Sequence, residues 1–567
     1  MIGVIFRHSY YQPPSDELAN LTKAQLPSIA LDLHIYLSRR PLLSINMGNT
    51  ISAYKETPCE VTLPGASGTL KGLQFDSKSR RYARVPYALP PTGDHRWQKP
   101  RPIPSPNLPS PDTRPMIDCT NFGPVCPQWL GYTSVGHAEK GVDDDKPVKA
   151  SPHGFDEDCL KLNIWTPVES KKDSEDANKP WPVFFWLHGG WFQLGDPSQD
   201  VTMDPTELIS TGKFEGIIVA VGYRLNIFGF LAGDALSEEE GQEGGNYGLW
   251  DIRLAMEWVK ENISAFGGDP NNITLAGRSA GAYAVHAEAL YDFRLGQRSS
   301  EDQLFHRMVM FSNAIPAQPK TLPEVQPQFD EVCQYFGIPL DISGAAKLEK
   351  LRLISATDLV SAIKELKYHT FRPITDGSFI KAGLIEYHKD GQFAARFKDR
   401  GLKLLIGEML NEETLYAVTN PPKSPDIESL ELQLENYYAP HVVKRVVNYY
   451  GVPNTTNIED WKLLYGRIVS DGQVRAPVRS LVDSLIRHGV DINDIWRYRI
   501  SYRLSFINED VVPKSFGVAH AMDKPLWKYV YISGIYRNYL ANTIKASLYS
   551  MVRPQMRGLL WKIGFKT

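Results

Sequence analysis

Five cysteines in 567 residues are too few for a disulfide scaffold, and the odd count leaves at least one thiol without a partner in the same chain. Long hydrophobic runs are also missing. No stretch approaches the roughly 18 apolar residues of a spanning helix, so no transmembrane segment is expected. Nor is there an excess of positive charge: 62 Lys and Arg face 65 Asp and Glu, for a net charge of -3. With no concentrated basic surface in prospect, nucleic acid is not an expected partner. Met1 to His8 stop being apolar too soon for a secretory leader, and Tyr10-Tyr11-Gln12-Pro13-Pro14 breaks any helix, so a cytoplasmic location is expected. There is no internal repeat.

What is present is the composition expected of a soluble globular protein, with 42% hydrophobic residues and a mean hydropathy of -0.30. Residues 1–60 mix Pro, Arg and short apolar pieces with no sustained period and read as an N-terminal extension of unknown structure. Within it, Met47-Gly48-Asn49-Thr50-Ile51-Ser52 matches an N-myristoylation pattern, which counts only if translation starts at Met47; otherwise Gly48 is an internal loop glycine. From Val61 to the end, 61–567, the grain changes to a single domain. Apolar runs at Val183–Leu187, Ile217–Val221, Ile273–Ala276, Met308–Phe311, Leu402–Ile406 and Ile495–Ile500 alternate with helical patterns. Continuous apolar strands separated by helices predict an α/β fold, a mostly parallel central sheet with helices on both faces. Pro102 to Pro152 and the helical stretch from Pro316 to Tyr368 read as insertions of the kind that wall a cleft.

Gly277-Arg278-Ser279-Ala280-Gly281 lies between the run Ile273–Ala276 and the helical pattern Ala282–Ala287. Strand, sharp turn and helix are what a nucleophile elbow requires, and the two glycines leave room for strand to meet helix. A bare G-x-S-x-G arises often by chance, so the rest of the chain must decide. A serine hydroxyl needs a histidine to take its proton and an acid to orient that histidine. Gly407 to Glu413 carries Glu408, Glu412 and Glu413 after a predicted strand. Asp376 is a rival acid, but Asp376-Gly377 is itself a turn signal. Among downstream histidines, His441 falls in a helical pattern and His488 precedes Gly489 at a helix end. His520, after the small-residue run Gly517-Val518-Ala519, is the better base. His188-Gly189-Gly190-Trp191-Phe192 follows the strand ending at Leu187, so the N–H groups of Gly190, Trp191 and Ala280 are the expected oxyanion donors.

Together these residues resemble the type B carboxylesterase and cholinesterase-like family of α/β-hydrolases. The resemblance also rests on Tyr82 to Ala88, Glu157-Asp158-Cys159-Leu160 through Pro167, Tyr223-Arg224-Leu225-Asn226, Asn246-Tyr247-Gly248-Leu249 and Phe266-Gly267-Gly268-Asp269-Pro270, and runs from Val61 to Tyr529. It implies the α/β-hydrolase fold, Glu412 as the triad acid through its spacing from Gly407, and His520 as the base after a Gly-x-x motif. It implies a disulfide between Cys159 and Cys126, with Cys119 as competitor. The chain departs from the family's pattern in three places. Arg278 stands where the family usually carries Glu, either paired with a neighbouring carboxylate or acting in substrate choice by repelling cationic alcohols such as choline. Trp191 replaces a third glycine, and the tail after Tyr529 lacks the usual final helix pattern; its Lys545, Arg553, Arg557, Lys562 and Lys566 read as a solvated terminus or a surface-seeking helix.

The expected function is therefore a serine carboxylic ester hydrolase with the triad Ser279, Glu412 and His520, a small-molecule ester as substrate, and no metal or organic cofactor. Arg278 and Phe192 are the substrate-pocket candidates. An acyltransferase or lactonase tailoring a larger natural product is an alternative, as is a lipase-like esterase. Outside enzymes, the alternative is a non-catalytic adhesion or scaffold protein. Oligomeric state is left open.

Overall fold

The computed structural model describes residues 54–64, 68–104, 115–129, 154–168, 179–198, 205–210, 214–239, 241, 244–295, 302–315, 317–503 and 512–524. The myristoylation pattern at Gly48, the basic tail residues and most of the Pro102–Pro152 insertion lie outside them. The chain divides into Met1–Ser52 and Ala53–Thr567, and all described residues belong to the second unit.

Its frame is one 11-stranded sheet among the described residues. The strands are β1 (Glu56–Thr62), β2 (Thr69–Phe75), β3 (Ser79–Pro86), β4 (Met116–Asp118), β5 (Lys161–Pro167), β6 (Trp181–Leu187), β7 (Ile217–Val221), β8 (Gly268–Arg278), β9 (Arg307–Phe311), β10 (Lys403–Met409) and β11 (Ile495–Ile500). They lie in the order β1-β2-β3-β5-β7-β6-β8-β9-β10-β11, with β4 beside β2. From β7 to β11 every pairing is parallel, whereas β1, β2, β3, β5 and β7 pair antiparallel.

Burial decides how each strand reads in the sequence. All five residues of β7 are buried, so both of its faces are covered and its sequence is continuously apolar. Side chains alternate across the parallel strands: Val183, Phe185 and Leu187 enter one core cluster with Val219, while Trp186, Ile218 and Ala276 enter another. In β1 the residues alternate between exposed and half-buried, which left no continuous run to read in the sequence.

Two long helices pack against β8, α1 (Tyr247–Asn262) and α2 (Ala280–Arg294). Helix α2 is buried along nearly its whole length and rich in alanine, as a helix laid centrally on a sheet must be. The stretch expected to be helical between β9 and β10 contains α3 (Leu322–Tyr335) and two shorter helices, Gly344–Arg352 and Ala356–Ile363. A further helical excursion between β10 and β11 was not read as one from the sequence. It contains α4 (Ile427–Glu435), α5 (Pro440–Tyr450), α6 (Ile458–Ser470), a π-helical turn at Asp471–Arg475 and α7 (Ala476–Arg487).

Candidate active site

Strand β8 ends at Arg278 and α2 begins at Ala280, so Ser279 alone makes the turn, at φ 55 and ψ -121. Positive φ in a non-glycine residue costs on the order of 1–3 kcal/mol and persists only where the surroundings enforce it. They do so here. A Cβ on Gly277 would sit 2.3 Å from the carbonyl carbon of Gly281, and one on Gly281 would sit 2.2 Å from the carbonyl oxygen of Leu187. Strand, helix and β6 thus meet closer than any side chain allows, and the Ser279 N–H donates to the Phe311 carbonyl at 2.7 Å.

The loop after β6 lies against this elbow. A Cβ on Gly189 would approach the Arg278 carbonyl oxygen to 2.7 Å and Ser279 Cβ to 3.0 Å. Three successive residues take positive φ: Gly190 at 116°, Trp191 at 56° and Phe192 at 65°. The loop is held by the Tyr223 to Asn226 segment. Tyr223 Oη donates to the His188 carbonyl at 2.8 Å, the Asn226 N–H donates to Phe192 O at 2.6 Å, and Asn226 Nδ2 donates to Gln193 O at 3.1 Å. His188 is stacked on Tyr223, and burial holds its imidazole below the usual histidine range. Among the described residues the N–H groups of Gly190 and Trp191 donate no hydrogen bond, and Ala280 supplies one of the free N–H groups of the first turn of α2.

His520 and Glu412 come together from segments 108 residues apart, with His520 Nδ1 2.5 Å from Glu412 Oε2. The other carboxylate oxygen accepts the Met409 N–H at 2.7 Å, and Glu412 is fully buried. Asn411 ties the two loops together, its N–H donating to Val518 O at 2.9 Å and its Oδ1 accepting from Val518 N at 3.0 Å. Tyr416 joins the groups: its ring lies 5.8 Å from His520 and 6.3 Å from Trp191, and it lines a small cavity with Trp191, Ser279 and Ala280. Burial, then the nearby Glu412, pushes the Tyr416 hydroxyl well above its usual range.

The other acids and histidines lie elsewhere. Strand β10 runs to Met409, so Glu408 is a buried strand residue beside Arg497 at 3.3 Å and not a loop acid. Glu413 pairs with Arg475. Asp376 makes the expected turn, accepting the N–H groups of Ser378 at 3.2 Å and Ile380 at 2.9 Å; burial raises its carboxyl to about 6. His441 is exposed on α5, 3.5 Å from Glu324, and His488 caps the end of α7.

Three sequence expectations need correction. Arg278 does not face the cleft: it is 4% exposed, forms a buried ion pair with Asp523 and lies over the Phe311 ring at 5.0 Å. The neighbouring-carboxylate alternative holds, since Arg278 meets Asp523 and does not line the cavity at Ser279. Phe192 is wholly buried against Phe230 and Tyr283 and is a core residue, not part of the cavity at Ser279. Cys126 and Cys159 form no disulfide; they and Cys119 are free thiols. A hydrogen bond between Cys126 and Cys159, together with burial, raises the Cys159 thiol well above its usual range, which disfavours the thiolate that attacks in disulfide exchange.

Sequence reasoning missed Asn313, Arg372, Tyr437 and Gln473, which complete the cavity at Ser279. They come from scattered loops and from the π-helical turn. The one local signal was Gly472 within a helical pattern, since a Cβ there would meet the Tyr438 hydroxyl at 2.3 Å.

A family model described as the carboxylesterase family matches residues 58–552, beyond the Tyr529 limit read from the motifs. An uncharacterized esterase/lipase of Schizosaccharomyces pombe is 39% identical over 493 residues, 84% of this chain and 85% of the relative. A carboxylic ester hydrolase of Gibberella moniliformis is 34% identical over 476 residues, 82% of each chain. Among solved structures, a PNB esterase aligns with a TM-score of 0.62 at 25% identity, over 87% of this chain and 90% of the other.

Proposed function

Because the chain belongs to the carboxylesterase family and is a carboxylic ester hydrolase of α/β-hydrolase fold, we propose that it works through an acyl-enzyme on Ser279. The Ser279 hydroxyl attacks the ester carbonyl carbon while its proton passes to His520, and Glu412 holds the imidazole in orientation and stabilises its cationic form. The N–H groups of Gly190, Trp191 and Ala280 receive the charge that develops on the carbonyl oxygen. Collapse of this intermediate breaks the bond to the alcohol oxygen, which leaves with the proton from His520. Water then enters by the same route in reverse roles, giving up a proton to His520 and releasing the carboxylic acid and free Ser279.

The observation that supports this reading most is the 2.5 Å contact between His520 Nδ1 and the buried Glu412, in loops that also contact the Tyr416 side chain at the Ser279 cavity. Such a contact fixes the tautomer that leaves Nε2 free to accept a proton. The strained backbone of Ser279 and the unused N–H groups opposite it add to the support.

The test is labelling with a fluorophosphonate probe alongside turnover of p-nitrophenyl esters. Stoichiometric labelling of Ser279, with hydrolysis abolished by the label, is expected. Hydrolysis that persists in the fully labelled protein overturns the assignment.

A further inference from the structure

Arg372 lines the cavity that holds Ser279 and also the larger adjoining one, lined by Lys320, Tyr437 and Gln473 as well. It is half-buried, and among the described residues no carboxylate lies within ion-pair distance of it. Neither cavity is lined by any Asp or Glu. The guanidinium has five N–H donors, and the structure records one hydrogen bond from them, Nη2 to Gln473 Oε1 at 2.8 Å.

The group is also held still. Its carbon lies 4.9 Å from the Tyr437 ring and 5.9 Å from the Tyr283 ring. The preceding residue, Phe371, is bonded through both backbone groups to Gln193 of the oxyanion loop, the carbonyl accepting at 2.5 Å and the N–H donating at 3.0 Å. Gln473 is oriented by donating from Nε2 to Tyr438 Oη at 2.8 Å, which leaves its carbonyl for Arg372. A second cation, Lys320, also lines the larger cavity. Lys320 donates to the Glu435 carbonyl, and burial, against the pull of Glu435 and with the push of Arg372, lowers its ammonium to about 8.

A planar cation packed between aromatic rings, with most donors unspent and no counter-charge, is a ready receptor for a carboxylate. We propose that Arg372, backed by Lys320, selects esters that carry a free carboxylate at the end remote from the scissile bond. This inference rests on Ser279 being the nucleophile, because that is what makes these two cavities the substrate's. It transfers to Arg372 the electrostatic selection expected of Arg278, whose charge is already neutralised by Asp523.

Two matched ester pairs test it, one with the charge in the acyl part and one with it in the alcohol part. They are p-nitrophenyl hemisuccinate against its methyl-capped form, and 4-acetoxybenzoate against its methyl ester. In at least one pair the charged member should be preferred in kcat/KM by about tenfold or more, the scale of one charge-assisted hydrogen-bond pair. Arg372→Gln should remove that preference, the charged member losing more than the neutral one and mainly through KM, with the variant's fold certified by its urea unfolding midpoint. Arg372→Lys should recover part of it. If neither pair shows a preference that depends on Arg372 while the neutral esters are turned over and Ser279 is labelled, this inference alone is overturned. If Ser279 is not labelled and no ester is cleaved, the nucleophile assignment fails and carries this inference with it.

Discussion

The ion pair between Arg278 and Asp523 separates two roles for the residue beside the nucleophile. Asp523 is fully buried and Arg278 4% exposed, so neither charge is solvated by bulk water. Removing one partner strands the other, at a typical cost of about 3–5 kcal/mol. The two single variants should not be equal. Arg278→Met leaves a buried carboxylate beside the Tyr498 hydroxyl, which burial first and then Asp523 push well above its usual range. Asp523→Asn instead leaves a guanidinium that keeps the Phe311 ring, worth roughly 0.5–2 kcal/mol, and an amide oxygen as acceptor, so it should be milder by about 1 kcal/mol or more. Arg278 Nε has no hydrogen-bond partner, so the native pair is incompletely satisfied. Replacing both members, as Arg278→Met with Asp523→Leu, should then lie within about 1–2 kcal/mol of the parent. Urea unfolding of the four proteins gives the cycle, and a coupling of about 2 kcal/mol or more is expected. Asp523 is three residues beyond His520, so the pair also ties the loop of the base to the residue before Ser279. Turnover should fall in Arg278→Met, while the ratio of choline-ester to neutral-ester turnover stays within about twofold. A single-variant cost below about 1 kcal/mol together with a changed ester ratio would refute the structural role and return Arg278 to substrate selection.

Three further outcomes are expected. Ser279→Ala and His520→Ala should each lower turnover by several orders of magnitude, Glu412→Gln somewhat less, and His441→Ala and His488→Ala hardly at all; a comparable loss at His441 or His488 would displace His520 as the base. Gly189→Ala places a methyl 2.7 Å from the Arg278 carbonyl oxygen, so it should push the oxyanion loop off the elbow and cost about a hundredfold or more in kcat, and full activity would disprove that close approach. Asp376, with its folded carboxyl raised to about 6 against an ordinary value of about 3.9, binds its proton more tightly when folded. Its contribution is complete below about pH 4 and is lost as pH rises through about 6, by up to about 3 kcal/mol. Asp376→Asn should flatten the unfolding free energy across that window, and an unchanged slope would contradict the assignment.

Local chemistry alone carried much of the architecture. The parallel half of the sheet was legible because strands buried on both faces must be apolar at every position, as Ile217–Val221 is. The elbow was legible because Gly277 meets the backbone of Gly281 within one turn and the strand-turn-helix pattern is local, although Gly281 is demanded by the Leu187 carbonyl of β6; the oxyanion loop was legible because its residues directly follow β6. Strand β1 was not, since its half-buried alternation gives a weak signal. The end of β10 was misjudged by three residues, because Glu408 is a charge inside a strand, tolerated there by Arg497 and Arg479.

Side-chain direction and long-range pairing were beyond the sequence. Whether Arg278 met a carboxylate depended on Asp523, 245 residues away, and Cys126 and Cys159 meet as thiols although their motif implied a bond. The cavity walls, Arg372, Tyr416, Tyr437 and Gln473, come from separate segments whose approach depends on how helices pack over the sheet ends, so Gly472 apart no local pattern marks them. Sequence thus determined the backbone frame and the residue types able to do the chemistry, because both are enforced within a few residues. Only the tertiary structure decided which charges are neutralised and which face the substrate, because that depends on partners brought close by the fold rather than by the chain.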